Sequence, residues 1–206
     1  MGELELRGDD VVVLSRSTGA IEGKAKRVAW TPDRLGDWVA HLEGADAVVN
    51  LVGAGVLDAR WTEERFHELR ESRIGPTHVL VRAMEQLKKK PSVFLSGSAV
   101  GYYGMNVETP PIDESAPPGT DRLAQLCVDW ENAASEATSI GIRVVHPRTG
   151  IVLSNDGGAL AKMAPAFKAW VGGPIGCGRQ YFPWIHIRDA VRGLVFALES
   201  SAVEGA

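Results

Sequence analysis

Residues 92–104 read SVFLSGSAVGYYG, a short apolar run that passes directly into a turn of glycine, serine and tyrosine. The run is too short for a helix and does not alternate between apolar and polar residues, which predicts a strand covered on both faces. The small hydroxyl residues after it can face a ligand without blocking it, and ligands of open α/β sheets bind at the carboxyl ends of the strands. This stretch therefore predicts a buried strand with a ligand site at its end.

Further strands and helices are indicated on both sides of this stretch. Apolar runs at residues 10–14, 45–52 and 142–145 are each typical of a buried strand. Because strands that alternate with helices pair in parallel through right-handed crossovers, we predict an α/β fold with an open, doubly wound parallel sheet. Apolar residues at helical spacing predict helices over 35–42, 62–87, 123–137, 160–167 and 191–198. A kink or break is expected in the second of these at Gly75 and Pro76, and a loop with four prolines covers 105–119.

The composition excludes several classes of protein. The chain has 206 residues, of which 45% are hydrophobic and 23% charged, as in globular proteins. A net charge of −4 provides no positive field for a polyanion, which argues against nucleic-acid binding. No apolar stretch can cross a bilayer, and two cysteines are too few for a disulfide framework or a structural zinc site. We therefore expect a cytoplasmic protein with a small-molecule substrate, no bound metal and no membrane contact.

Five short strings occur along the chain in a characteristic order. They are NLVG at 50–53, RWTEER at 60–65, SAVGYYG at 98–104, RTGIVL at 148–153 and FPWIHI at 182–187. Together they resemble the extended short-chain dehydrogenases/reductases. Within these, the chain is most similar to the "epimerase family protein" branch of the NAD(P)-dependent nucleotide-sugar epimerase/dehydratase superfamily. The resemblance implies a Rossmann-like sheet that binds a dinucleotide.

The resemblance also implies where the cofactor binds. Arg16 ends the strand before the adenine-ribose pocket, and an arginine there accommodates a 2′-phosphate, which indicates NADP rather than NAD. A solvated surface arginine is the alternative interpretation of Arg16. Glycine at position 53 lets the backbone approach the cofactor closely. The full set of cofactor residues implied by the family is Ser15, Arg16, Asn50, Leu51, Val52, Gly53, Ser96, Arg148 and Thr149.

The family chemistry maps onto this chain only in part. Ser98 takes the position of the catalytic hydroxyl, and Arg179 and His186 are similar to substrate-binding positions, although His186 is equally typical of a structural histidine at a helix start. The family also uses a tyrosine and, four residues later, a lysine, whose charge lowers the phenol pKa.

Counting back from Glu131, the tyrosine and lysine positions are Leu123 and Cys127, and neither side chain can do that chemistry. Cys127 is instead expected to be a small core residue. Tyr102 or Tyr103 is therefore the candidate for the phenol, without a lysine partner in the sequence.

Two functions follow from these observations. The first is an NADP-dependent oxidoreductase or epimerase-like protein that acts on a nucleotide sugar or a similar polar substrate. The alternative is a non-catalytic NADP(H)-binding protein with a regulatory or assembly role, and a homodimer is considered for either. A purely structural α/β domain leaves the strings at 98–104 and 184–189 without an explanation.

The ends of the chain carry a further expectation. The first strand of a dinucleotide fold and its glycine-rich turn are missing from residues 1–7, which resemble neither. The chain also stops at Gly205 and Ala206, where members of the family continue into a small substrate-side lobe, so we expect truncation at both ends. Residues 1–150 are then expected to form an incomplete dinucleotide-binding domain, and residues 151–206 to begin a substrate-side region with a returning helix. Because the strands at 10–14 and 45–52 lose their shared neighbour, we expect low stability and weak or no NADP binding.

Overall fold

The chain forms short parallel strands joined by helices, as seen in a computed structural model that describes residues 2–17, 23–56, 58–104, 112–174 and 176–206. The strands are β1 Val12–Ser15, β2 Lys26–Ala29, β3 Ala47–Asn50, β4 Val93–Ser96, β5 Ser98–Ala99, β6 Arg143–Val145, β7 Arg148–Thr149, β8 Ile151–Ser154 and β9 Trp184–His186. The helices are α1 Gly2–Arg7, α2 Glu63–Glu85, α3 Arg122–Ser135, α4 Gly158–Lys168 and α5 Ile187–Glu199. Three 3-10 helices cover Asp37–Leu42, Val100–Tyr103 and Glu136–Ile140.

All paired strands of the described residues are parallel, which confirms the predicted α/β class. β4 lies between β3 and β6, and shorter pairs join β5 to β7 and β8 to β9. β1 and β2 form a separate pair, and no described strand joins β1 to β3. The pairing of β5 with β7 sets Ser98 opposite Arg148, so two residues 50 positions apart meet at one sheet edge.

Helices cover both faces of the β3–β4–β6 sheet. Successive residues of a strand point to opposite faces, and Phe94 and Leu95 of β4 are both fully buried. Phe94 belongs to a core cluster with Met84 of α2 and Ala134 of α3, whereas Leu95 packs with Ala197 of α5. Each such burial stabilises the fold by about 1.5–3 kcal/mol. This arrangement is the doubly wound architecture that the unbroken apolar runs predicted.

The structure corrects several local expectations. Of the predicted kink or break at Gly75 and Pro76, the break is wrong, since α2 continues through Pro76, which is buried within it. The pattern at 35–42 forms a 3-10 helix rather than an α-helix. Of residues 1–7, which resemble neither a strand nor a glycine-rich turn, Gly2–Arg7 form the short α1. Of the predicted proline-rich loop, residues 105–111 lie outside the described residues.

Among the helices that the structure describes, none is both long enough and apolar enough to cross a bilayer.

Candidate functional site

Ser98 is the first residue of β5 and lies two residues after the end of the central strand β4. The residue is buried, with 5% of its surface exposed. Its backbone N–H donates to the Pro147 carbonyl at 3.1 Å, and Thr149 Oγ1 donates to its carbonyl at 3.3 Å. These bonds fix the backbone of β5 against β7. The side chain donates a short hydrogen bond of 2.5 Å to Glu131 Oε1, and a bond of that length is typical of a hydroxyl donating to a carboxylate.

Glu131 is the carboxylate that gathers this site. It projects from α3, is 8% exposed, and accepts two hydrogen bonds of 2.8 Å from Arg148, from Nε to Oε1 and from the second terminal nitrogen to Oε2. The ion pair is buried on both sides. The adjacent carboxylate raises the pKa of Arg148, which therefore stays charged at any working pH.

Both tyrosines of the motif contact Arg148. The guanidinium lies 3.4 Å from the centre of the Tyr102 ring, and its remaining terminal nitrogen donates to the Tyr103 hydroxyl at 3.0 Å and to the Glu114 carbonyl at 3.1 Å. The two rings meet edge to face at 5.3 Å. Ser98, Tyr102, Tyr103, Glu131 and Arg148 are named the Ser98 cluster below. Because each nitrogen of Arg148 donates at least one hydrogen bond to Glu131, Tyr103 or Glu114, Arg148 organises the cluster.

The positions that carry tyrosine and lysine in the wider family lie beside Gly101, the residue before Tyr102 of this cluster. A Cβ placed on Gly101 would lie 3.7 Å from Cys127 Sγ and 3.9 Å from Leu123 Cβ. Burial, with the nearby Glu131 charge, raises the pKa of the Cys127 thiol to about 11. The thiol is therefore protonated near neutral pH, and Leu123 carries no proton to exchange. Cys127 is buried, as the apolar stripe predicted.

A second polar cluster lies beneath the ends of β3 and β4. Asn50 Nδ2 donates to Thr77 Oγ1 at 2.9 Å and to Ser96 Oγ at 3.2 Å, and Trp130 Nε1 donates to Thr77 Oγ1 at 3.2 Å. Asn50 Oδ1 accepts the backbone N–H of Val52 at 3.2 Å, which fixes the start of the following loop. Asn50, Thr77, Ser96 and Trp130 form the Asn50 cluster. Asn50 and Ser96 are almost fully buried, so they support the loop from below rather than lie on its surface.

The loop after β3 presents its backbone to the surface. Leu51 is 60% exposed, and Gly53 is exposed as well. A Cβ on Gly53 would lie 2.8 Å from the Arg73 guanidinium, which donates to the Ala54 carbonyl at 3.0 Å. A side chain at Gly53 would therefore displace the arginine that holds the loop.

At the end of β1, the Ser15 hydroxyl accepts the backbone N–H of Ser17 at 3.2 Å. Arg16 is exposed, and no hydrogen bond or ion pair joins it to another described residue.

The two candidate substrate residues, Arg179 and His186, are exposed, and neither forms a hydrogen bond that joins it to the described part of the Ser98 cluster. His186 caps α5, where Nδ1 accepts the Arg188 N–H at 3.2 Å, as the structural interpretation of this residue expects.

A cavity of about 370 Å³ opens beside Arg148 and Thr149. Its wall is mostly apolar and includes Val100, Trp184 and Leu194. Across the described ranges, no group of three or more histidine, cysteine or acidic side chains is arranged to hold a metal ion.

In the sequence, Glu131 is the position from which the tyrosine and lysine positions are counted, and no functional role is predicted for it. Its burial could have been predicted, because a carboxylate four residues after Cys127 falls on the same helix face as the apolar stripe. A charged residue on a buried face needs a partner, and Glu131 has two, Ser98 and Arg148.

Comparisons with known proteins agree with this fold. The sequence profile of the NAD dependent epimerase/dehydratase family matches residues 2–205. Epimerase family protein Mb2239 of Mycobacterium bovis is 42% identical over 201 residues, which cover 97% of this chain and 65% of that protein. The chain therefore spans a little under two thirds of this relative's length.

Two solved structures are similar in both sequence and fold. Human epimerase family protein SDR39U1 (isoform 2), solved with NADPH, is 34% identical with a TM-score of 0.85, over 99% of this chain and 66% of that one. A nucleoside-diphosphate sugar epimerase of Corynebacterium glutamicum is 31% identical with a TM-score of 0.81, over 98% of this chain and 41% of that one. With the family profile matched almost from end to end, the chain belongs to the NAD dependent epimerase/dehydratase family.

Proposed function

We propose that this chain is part of an NADP-dependent oxidoreductase or epimerase-like protein that acts on a nucleotide sugar or a similar polar substrate. The observation that carries the proposal is the Ser98 hydroxyl, held at a strand end by a buried carboxylate–guanidinium pair. A hydroxyl held in this way can hydrogen-bond the oxygen of a reacting alcohol or carbonyl. The matched human protein was solved with NADPH, and the matched Corynebacterium protein is a nucleoside-diphosphate sugar epimerase, which supports both parts of the proposal.

The residues at the strand ends fit a dinucleotide with a 2′-phosphate. The exposed loop from Leu51 to Gly53 offers apolar surface and accessible backbone, and Gly53 has no side chain to obstruct it. Arg16 extends from the end of β1 as a cation suited to the phosphate, with Ser15 beside it. Thr149 lies across from Ala99 in the β5–β7 pair. When bound, a nicotinamide dinucleotide accepts or returns a hydride.

Cofactor choice gives the first test, made on the natural full-length protein by calorimetry. We expect NADPH to bind more tightly than NADH. Arg16→Ala should weaken NADPH binding about tenfold, the effect of losing about 1.4 kcal/mol, and should leave NADH binding unchanged. Equal affinity for NADPH and NADH in the wild type would remove the basis for assigning NADP.

Turnover gives the second test. We expect oxidation or epimerisation of at least one compound in a panel of nucleotide sugars and related polar alcohols, and Ser98→Ala should lower this turnover at least 100-fold. Ser139→Ala is the matched control, since Ser139 is an exposed serine whose hydroxyl donates to the Glu136 carbonyl at 2.7 Å, away from the Ser98 cluster. A Ser98→Ala variant as active as this control would refute the role of the hydroxyl.

A non-catalytic NADP(H)-binding protein, with a regulatory or assembly role, is the second candidate. The observation that favours it is the pair Leu123 and Cys127, which face the site without a phenol or an ammonium group. This candidate predicts NADPH binding together with no turnover across the same panel.

A further inference from the structure

We propose that Glu131 is the proton acceptor for Ser98, so that a serine–carboxylate relay replaces the tyrosine–lysine pair of the wider family. The inference rests on the proposed function and names the residues of that same site. Its basis is the direct 2.5 Å hydrogen bond from Ser98 Oγ to Glu131 Oε1, between two side chains that are both buried.

The other titratable groups around Glu131 do not fit this role. The Cys127 thiol has its pKa raised to about 11 by burial and is protonated near neutral pH. The Tyr103 hydroxyl accepts a hydrogen bond from the Arg148 cation. His146 Nε2 lies 2.9 Å from Ser135 Oγ, and burial lowers the pKa of its imidazole. The hydrogen bond from the Ser98 hydroxyl goes to Glu131 and not to Cys127, Tyr103 or His146.

Arg148 makes the carboxylate a directed acceptor. Its two hydrogen bonds of 2.8 Å hold Glu131 in one orientation and use both carboxylate oxygens. Glu131 Oε1 accepts hydrogen bonds from both Ser98 Oγ and Arg148 Nε. The hydroxyl proton of Ser98 therefore already points at the atom that is to accept it. A preorganised acceptor of this kind needs no movement when the proton is transferred.

The relay balances for the oxidation of a substrate alcohol. The substrate hydroxyl gives its proton to Ser98 Oγ as the Ser98 proton passes to Glu131 Oε1, and the carbinol C–H bond breaks with its electron pair leaving as hydride to the oxidised nicotinamide. The product is a carbonyl, and Glu131 is neutral. Reduction reverses each transfer. In an epimerisation, which oxidises and then reduces the same carbon, the buried carboxyl keeps the proton between the two steps.

The test compares Glu131→Gln with Asp129→Asn in the full-length protein. Asp129 is a matched control, because it lies on the same helix and pairs at the surface with Arg70 at 3.1 Å. We expect Glu131→Gln to retain NADPH affinity within threefold and to lose at least 100-fold in turnover, the usual effect of removing general acid–base catalysis. Asp129→Asn should match the wild type in both. If Glu131→Gln folds poorly, the double variant Glu131→Gln with Arg148→Met removes both charges together.

A further readout tests the hydrogen bond on which the relay depends. Proton NMR of the unliganded protein should show a strongly downfield hydroxyl resonance in wild type that is absent from both Ser98→Ala and Glu131→Gln.

The outcomes distinguish the two proposals. Turnover within threefold of wild type in Glu131→Gln, or no downfield resonance in wild type, overturns the relay and leaves the proposed function standing. Bound NADPH with no turnover in wild type overturns the proposed catalytic function, and the relay with it.

Discussion

Replacing Arg148 by methionine should destabilise the fold by about 4 kcal/mol, because it leaves Glu131 as a buried carboxylate with no cation beside it. Both side chains are only 10% exposed, and two hydrogen bonds of 2.8 Å join them. Removing one partner of a buried ion pair costs about 3–5 kcal/mol. Two charge-assisted hydrogen bonds of about 1.5–3 kcal/mol each give a similar range.

The partner variants sharpen this prediction. Glu131→Gln should cost about 2–3 kcal/mol, less than Arg148→Met, since Arg148 keeps the Tyr103 hydroxyl, the Glu114 carbonyl and the Tyr102 ring as partners. The double variant leaves no buried charge at this site. We therefore expect it to lose less than the sum of the two single variants, by about 2 kcal/mol or more, because the two groups are in direct contact.

Urea denaturation followed by circular dichroism measures these differences. With a slope of about 2 kcal/mol per molar urea, a loss of 4 kcal/mol lowers the midpoint by about 2 M. Arg70→Met is the matched control, because Arg70 pairs with Asp129 while 45% exposed, and an exposed pair contributes about 0–1 kcal/mol. A midpoint for Arg148→Met equal to that of the control, or strictly additive losses in the double variant, would refute the reasoning.

Three other perturbations follow from the same structure. The exposed Cys177 should react with a thiol reagent in the folded protein, whereas Cys127, buried and with its pKa raised to about 11, should react only on unfolding, which mass spectrometry of the labelled protein distinguishes. Burial lowers the pKa of His146 below its ordinary 6.5, so the unfolded chain takes up a proton at a higher pH than the folded protein does. The free energy of unfolding should therefore decrease as the pH falls below 6.5. Urea titrations between pH 7 and 5 should show a smaller decrease in His146→Gln. Thr77→Val removes the hydroxyl that two buried donors share, one of them from Asn50, and should cost about 2–3 kcal/mol by the same urea assay.

The strands that sequence predicted correctly share one property. Residues 10–14, 45–52, 92–96 and 142–145 are apolar runs, and burial of such runs determines where strands form. β2 was missed because Lys26 and Arg27 make up half of it. Pro76 led to the opposite error, in which a helix break was predicted that the structure does not have. A proline usually ends a helix, but packing of α2 on the core keeps this helix continuous. Tertiary contacts override local preference in both cases.

The candidate site could be predicted only where a motif carried it. Ser98, Tyr102, Tyr103 and Arg148 were expected near a ligand from their strings, but nothing in the sequence indicated that one guanidinium would contact both tyrosines. That contact depends on the pairing of β5 with β7, which only the folded sheet establishes. The partner Glu131 comes from a third element, α3, so no local pattern contains the whole cluster.

Helix α3 ties the two polar clusters together through adjacent residues. Trp130 donates to Thr77 in the Asn50 cluster, below the loop that follows β3. Glu131 binds Ser98 and Arg148, the first residues of β5 and β7. A rotation of α3 that improved one cluster would therefore disrupt the other, and this fixes the helix against the sheet. The helix face toward Gly101 carries Leu123 and Cys127, and the Cys127 thiol interacts with the backbone of Ala99 in β5. The hydrogen bond that holds Ser98 comes instead from Glu131, so the position of Ser98 does not depend on a phenol or an ammonium group on that face.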